Sequence, residues 1–121
     1  MANKKILIVD DDPDMRRLLH VLLKANHYDT CFAADGQTGI AAALEHGPDL
    51  IILDLGLPGE DGFTVMEQIK QAPAIARIPI VVLSAHDAYQ QRAIAAGAKA
   101  FLEKPMDTAE MLQAIREALG D

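Results

Sequence analysis

Five short apolar runs, separated by stretches of helical period, most narrowly limit what this chain can fold into. They are Lys5 to Val9, Thr30 to Ala33, Leu50 to Leu53, Ile80 to Leu83 and Ala100 to Leu102, most of them rich in Ile, Val and Leu. Runs without polar alternation are what parallel strands look like when helices bury both faces of the sheet. Between them, Pro13 to Ala25 carries Met15, Leu18, Leu19, Leu22 and Leu23 at three- and four-residue spacing, with Arg16, Arg17, His20 and Lys24 elsewhere around it. Gly36 to His46 is expected to turn Ile40, Ala43 and Leu44 inward and to stop at Gly47-Pro48. Phe63 to Gln71 spaces Phe63, Met66 and Ile69 three apart and ends at Pro73. A weaker helix spans Tyr89 to Ala96 before Gly97. The last runs from Thr108 to Leu119 behind the capping-box-like Asp107-Thr108-Ala109-Glu110. Strand and helix thus alternate five times, which implies right-handed crossovers and a doubly wound parallel α/β sheet.

The 121 residues, half of them apolar, suit one domain over 1–121. With 11 Lys and Arg against 18 Asp and Glu, the formal charge is -7, so the basic footprint that grips a phosphate backbone is missing. An acidic surface suits metal cations or basic patches on a partner instead. No Trp, two Tyr and three Phe are too few for base-stacking platforms. The one cysteine, Cys31, reads as a small buried hydrophobe, and no apolar run approaches the roughly 20 residues that span a bilayer. Neither a signal peptide nor a disulfide scaffold fits, and a soluble cytoplasmic protein is expected, with no membrane or direct DNA contact.

Ligands of open α/β sheets bind beyond the carboxyl ends of the strands, where strand order reverses. The first run ends in Asp10, Asp11 and Asp12, the third in Asp54, the fourth in Ser84, and the fifth is followed by Glu103, Lys104 and Pro105. Four of five runs therefore deliver a carboxylate, hydroxyl or ammonium to one edge of the sheet. Converging carboxylates repel unless a cation neutralises them, and oxygen ligands without His or Cys point to Mg²⁺ or a similar hard ion. With Lys104 and Ser84 added, a phosphoryl group fits, and an Asp carboxylate can act as the nucleophile that forms an aspartyl phosphate. Capping alone explains Asp12, which precedes Pro13 at a helix start, but not three acids in a row.

At these residues the chain resembles the receiver domains of two-component response regulators, from Lys4 to Leu119. The motifs that carry the resemblance are Ile6 to Asp12, Leu53-Asp54-Leu55-Gly56-Leu57-Pro58-Gly59-Glu60-Asp61-Gly62, Leu83-Ser84-Ala85 and Glu103-Lys104-Pro105, in order and at the right spacing. The fold expected is then a (βα)5 flavodoxin-like three-layer sandwich with strand order 2-1-3-4-5. The resemblance implies that Asp54 accepts a phosphoryl group from a phosphohistidine on a histidine kinase or histidine phosphotransfer protein. It implies Mg²⁺, with Mn²⁺ as a substitute, held by Asp11, Asp54 and the carbonyl of Gly56, with Asp10 acting directly or through water. Lys104 would pair with the phosphoryl oxygens, Ser84 would move to bond one of them, and Phe101 would turn inward as the switch aromatic. The fourth helix, fifth strand and fifth helix would present the result to a downstream protein target. The Lys104-Pro105 bond is expected to be cis.

Several readings compete. A haloacid-dehalogenase-like phosphatase would use Asp10 and Asp12 as a D-x-D pair but leaves Asp54 unexplained. A flavodoxin-like module would need hydroxyls and backbone donors where the first loop is acidic. A receiver-shaped interaction module that is never phosphorylated has no use for the intact set Asp10, Asp11, Asp54, Ser84 and Lys104. Phe101 also reads as plain core, and His20, His27 and His46 as surface residues. His86 lies near the site, and Met15 and Met106 flank it. Gly56 leaves room above Asp54, which predicts a labile phosphoryl group. Glu103, beside Lys104, should point away from the site.

Overall fold

The computed structural model describes residues 3–57, 59 and 61–120, so Pro58 and Glu60 of the loop motif lie outside the described residues. The order is β1 (Lys5–Val9), α1 (Pro13–Ala25), β2 (Asp29–Ala33), α2 (Gly36–His46), β3 (Leu50–Asp54), α3 (Gly62–Gln71), β4 (Ile80–Ser84), a 3-10 turn (Asp87–Tyr89), α4 (Gln90–Ala95), β5 (Ala100–Glu103) and α5 (Thr108–Leu119). All five strands are parallel, in the order β2-β1-β3-β4-β5. This is the flavodoxin-like α/β sandwich, with the strand order, that the resemblance implies.

Successive residues of one strand serve opposite faces, which is why the runs show no polar alternation. Leu7, Val9, Ile51, Leu53, Ile80 and Val82 pack with Ala43 of α2, with Val65, Met66 and Ile69 of α3, and with Ala93 of α4. Their neighbours Ile6, Ile8, Leu50, Ile52, Val81 and Leu83 pack with Leu19 and Leu23 of α1 and Met111, Ala114 and Ile115 of α5. Helix starts are fixed by aspartates at the preceding position. Asp12, Asp35, Asp61 and Asp107 accept from the backbone N–H groups of Asp14, Thr38, Phe63 and Glu110.

Three expectations need correction. Leu44 is 54 % exposed, because α2 approaches the sheet on its small residues Gly36, Gly39 and Ala43. A Cβ on Gly39 would stand 2.9 Å from Val9 Cγ2, so the close approach selects that face and rotates Leu44 outward. The fourth helix lies where its pattern suggests, one residue shorter at each end and directly after the 3-10 turn. His20 is half-buried rather than a surface residue. Its Nδ1 is hydrogen-bonded to Thr30 Oγ1 at 2.6 Å, and its ring meets the edge of Phe32. Leu18 is also 62 % exposed, since the sheet covers only the Leu19–Leu23 side of α1.

Gly62 fixes how the loop after β3 meets α3. A Cβ there would sit 2.9 Å from the Leu55 Cα and 2.6 Å from its Cδ2. Gly62→Ala is expected to destabilise the protein by about 1–3 kcal/mol through this overpacking. Urea unfolding reads the loss, and an unchanged midpoint would show that the loop relaxes freely.

Candidate phosphoryl and metal site

Asp10 extends β1 by one residue. Its N–H donates to Ala33 O at 3.0 Å, and the carboxylate is carried into the interior, 1 % exposed. Oδ1 accepts from Asp12 N at 2.9 Å, while Oδ2 is buried without a hydrogen bond. Asp54, the last residue of β3, is 6 % exposed. Its Oδ1 accepts from Gly56 N and its Oδ2 from Lys104 Nζ, both at 2.9 Å. The same Nζ lies 3.7 Å from Asp10 Oδ2, so one ammonium serves two carboxylates. Asp11 is exposed, and one carboxylate oxygen each from Asp10, Asp11 and Asp54 falls within a 4.8 Å cluster.

The electrostatics follow from this burial. Desolvation raises the Asp10 pKa above the ordinary carboxylate value; the Asp12 N–H and the Lys104 charge offset this in part, and the Asp54 and Asp11 charges add to it. Burial alone would depress Lys104. Its hydrogen bond to Asp54 and the charges of Asp54 and Asp10 outweigh burial, and Lys104 titrates above the ordinary lysine value. Three carboxylates against one ammonium leave an excess of negative charge, and the orphaned Asp10 Oδ2 lacks a donor. Hard oxygen donors with one ligand position unused fit a divalent cation such as Mg²⁺.

Asp12 stays outside the cluster because its Oδ1 caps α1, so the pair that the phosphatase reading needs is not assembled. Ser84 is buried at the end of β4. Its Oγ accepts from His86 N at 3.1 Å and donates to His86 O at 3.2 Å. Together with Asp54, Gly56, His86, Tyr89 and Lys104 it lines a cleft of about 390 Å³. Phe101 does not line that cleft. It is half-buried against the α2–α4 side of the core. The Lys104-Pro105 bond is cis. Met15 and Met106 pack on the α1–α5 side of the core and line a separate apolar groove of about 330 Å³. Cys31 is half-buried, and burial pushes its thiol pKa up.

Sequence reasoning missed three participants. Tyr89, placed in the pattern only as a helix start, walls the cleft, its ring edge-on to Phe63 at 5.8 Å. Arg16 returns from α1 to donate to the Asp10 carbonyl at 2.7 Å, and nothing in its spacing marks it among the basic residues of that helix. Glu103 accepts from the Asp87 N–H at 3.2 Å, although its place beside Lys104 was legible.

Comparison with known proteins converges on one family. The family described as the response regulator receiver domain matches residues 6–116. The chain is 40 % identical over 114 residues to the response regulator PleD of Caulobacter vibrioides, covering 93 % of this chain but only 25 % of that protein. It is 36 % identical over 117 residues to the chemotaxis protein CheY of Bacillus subtilis, covering 96 % of this chain and 98 % of that one. Among solved structures, the receiver domain of the sensor histidine kinase PA1611 from Pseudomonas aeruginosa PAO1 superposes with a TM-score of 0.88 at 27 % identity, covering 99 % of this chain and all of that one. That structure holds a magnesium ion coordinated in its active site cleft. The match over residues 6–116 covers most of the chain, and the chain belongs to the response regulator receiver domains.

Proposed function

We propose that this receiver domain takes a phosphoryl group on Asp54 from a phosphohistidine of a histidine kinase or phosphotransfer protein. The observation that carries the proposal is the Asp54 carboxylate, buried at a strand end between the Lys104 ammonium and an acidic pair with an orphaned oxygen. Such a carboxylate is held in place before the donor arrives, which is most of what phosphoryl transfer asks of a protein. An Asp54 carboxylate oxygen attacks phosphorus, the P–N bond of the donor breaks, and the bonding pair leaves with the imidazole nitrogen. Lys104, already 2.9 Å from Asp54 Oδ2, offsets the charge that builds on the phosphoryl oxygens. Ser84 can donate to one of those oxygens once its hydroxyl leaves His86 O.

Asp10, Asp11, Asp54 and the Gly56 carbonyl would hold Mg²⁺, or Mn²⁺ in its place, which supplies further neutralisation of phosphoryl charge. Phe101 is the aromatic that would follow Ser84, passing the change to the α4–β5–α5 face and a downstream protein. The chain spans a quarter of PleD, so the reading covers the receiver step alone. No helix among the described residues is long and apolar enough to cross a membrane.

Intact mass after incubation with acetyl phosphate and Mg²⁺ tests the proposal. One adduct that chelation of the metal prevents is the expected outcome. Absence of any adduct under conditions that trap short-lived species would overturn it. The adduct should also be labile, because among the described residues a Cβ on Gly56 would meet only Asp54 Oδ1, at 3.4 Å, leaving the approach to Asp54 open to water. Gly56→Met is expected to lengthen the phosphoryl half-life several-fold. An unchanged half-life in the same mass assay would show that water does not enter by that side.

A further inference from the structure

The segment between β4 and α4 is held in place from two sides. Ser84 Oγ binds both the N–H and the carbonyl of His86. One residue further on, the Asp87 N–H opens the 3-10 turn, and its own N-cap, His86, offers no side-chain hydrogen bond. The acceptor comes from the neighbouring strand instead: Glu103 Oε2 receives the Asp87 N–H at 3.2 Å. Glu103 is the register partner of Ser84 in the β4–β5 pairing, and Lys104 N donates to Ser84 O at 2.8 Å directly beyond it. Glu103 therefore clips the loop at the level of the hydroxyl that must reorient.

We propose that Glu103 is a positioning residue that latches the β4–α4 segment in its resting place and so restrains phosphoryl capture by Ser84. The inference rests on the receiver reading of Asp54. To bond a phosphoryl oxygen, the Ser84 hydroxyl must give up His86 O, and one of the two bonds that pin the loop to Ser84 is then released. A further restraint, beside the contact of the Tyr89 ring with Phe63, is the Glu103 carboxylate that accepts from Asp87 N. Keeping that bond opposes any shift of residues 86–89, including Tyr89 at the cleft wall. The latch thus favours the unphosphorylated arrangement without touching the phosphoryl group.

The test compares wild type, Glu103→Ala and Glu103→Gln, all expected to fold because the side chain is exposed. Glutamine keeps an acceptor oxygen and loses the charge; alanine loses both. Hydrogen exchange at the Asp87 amide, measured without phosphodonor, should quicken in Glu103→Ala and stay near wild type in Glu103→Gln. Phosphorylation by acetyl phosphate with Mg²⁺ should run about threefold faster in Glu103→Ala, the size expected from losing one exposed helix-start bond, and near the wild-type rate in Glu103→Gln. Unchanged exchange at Asp87, or a rate in Glu103→Ala that is equal or slower, overturns the latch. Equal rates for the two variants, both faster than wild type, show a charge effect on the neighbouring Lys104 and overturn it too. Absence of an adduct on the wild type overturns the receiver reading and the latch with it, whereas an adduct whose rate ignores Glu103 overturns the latch alone.

Discussion

The Asp54→Asn protein, incubated with acetyl phosphate and Mg²⁺, is expected to stay at its unmodified mass while the wild type gains one phosphoryl group. Asparagine keeps the shape of the side chain and an oxygen that can accept from Gly56 N or Lys104 Nζ, the two donors that hold Asp54 now. It lacks the negative oxygen that attacks phosphorus, so the loss should be complete rather than partial. The substitution also removes one of two buried carboxylates that share a single ammonium, and urea stability should be kept or slightly improved. A wild-type-sized adduct on the variant would place the acceptor elsewhere and remove Asp54 from the mechanism.

Lys104→Met should show the second large effect, and on two readouts. Asp10 and Asp54 are 1 % and 6 % exposed, and Lys104 is the cation that pairs with both. Removing one partner of a buried pair leaves uncompensated charge, at a cost of about 3 kcal/mol, the low end of the range because Lys104 is itself 23 % exposed. The melting temperature in chelator should fall accordingly. Millimolar Mg²⁺ should recover more of it than the same addition gives the wild type, because the acidic cluster then binds a cation without a competing ammonium. Phosphorylation should fail even where stability is recovered. A variant as stable as the wild type in chelator would mean that the carboxylates are solvated more than their burial shows.

Much of the fold was legible because a parallel sheet buried on both faces leaves an uninterrupted apolar run, and the starts of α1 and α5 follow from Asp12 and Asp107 as caps. The acids and the lysine were legible because each ends an apolar run, where a charge has no structural reason to stand. What escaped depends on distances between elements. The approach of α2 on Gly39 is set by Val9 on another strand, and periodicity alone gave the inward place to Leu44. The acceptor that Glu103 of β5 offers the Asp87 N–H comes from another element, and Arg16 acts on a backbone carbonyl, which no residue pattern records.

The bond between Lys104 and Asp54 ties the edge strand of the sheet to its centre across 50 residues of sequence. Asp10, Asp11 and Asp54 are complete as soon as β1 and β3 pair, yet they then face one another without a protein cation until the last strand docks. A molecule whose edge has frayed keeps the Asp54 oxygens but not the ammonium that now lies 2.9 Å from one of them. The geometry of the acidic site thereby depends on a docked edge strand.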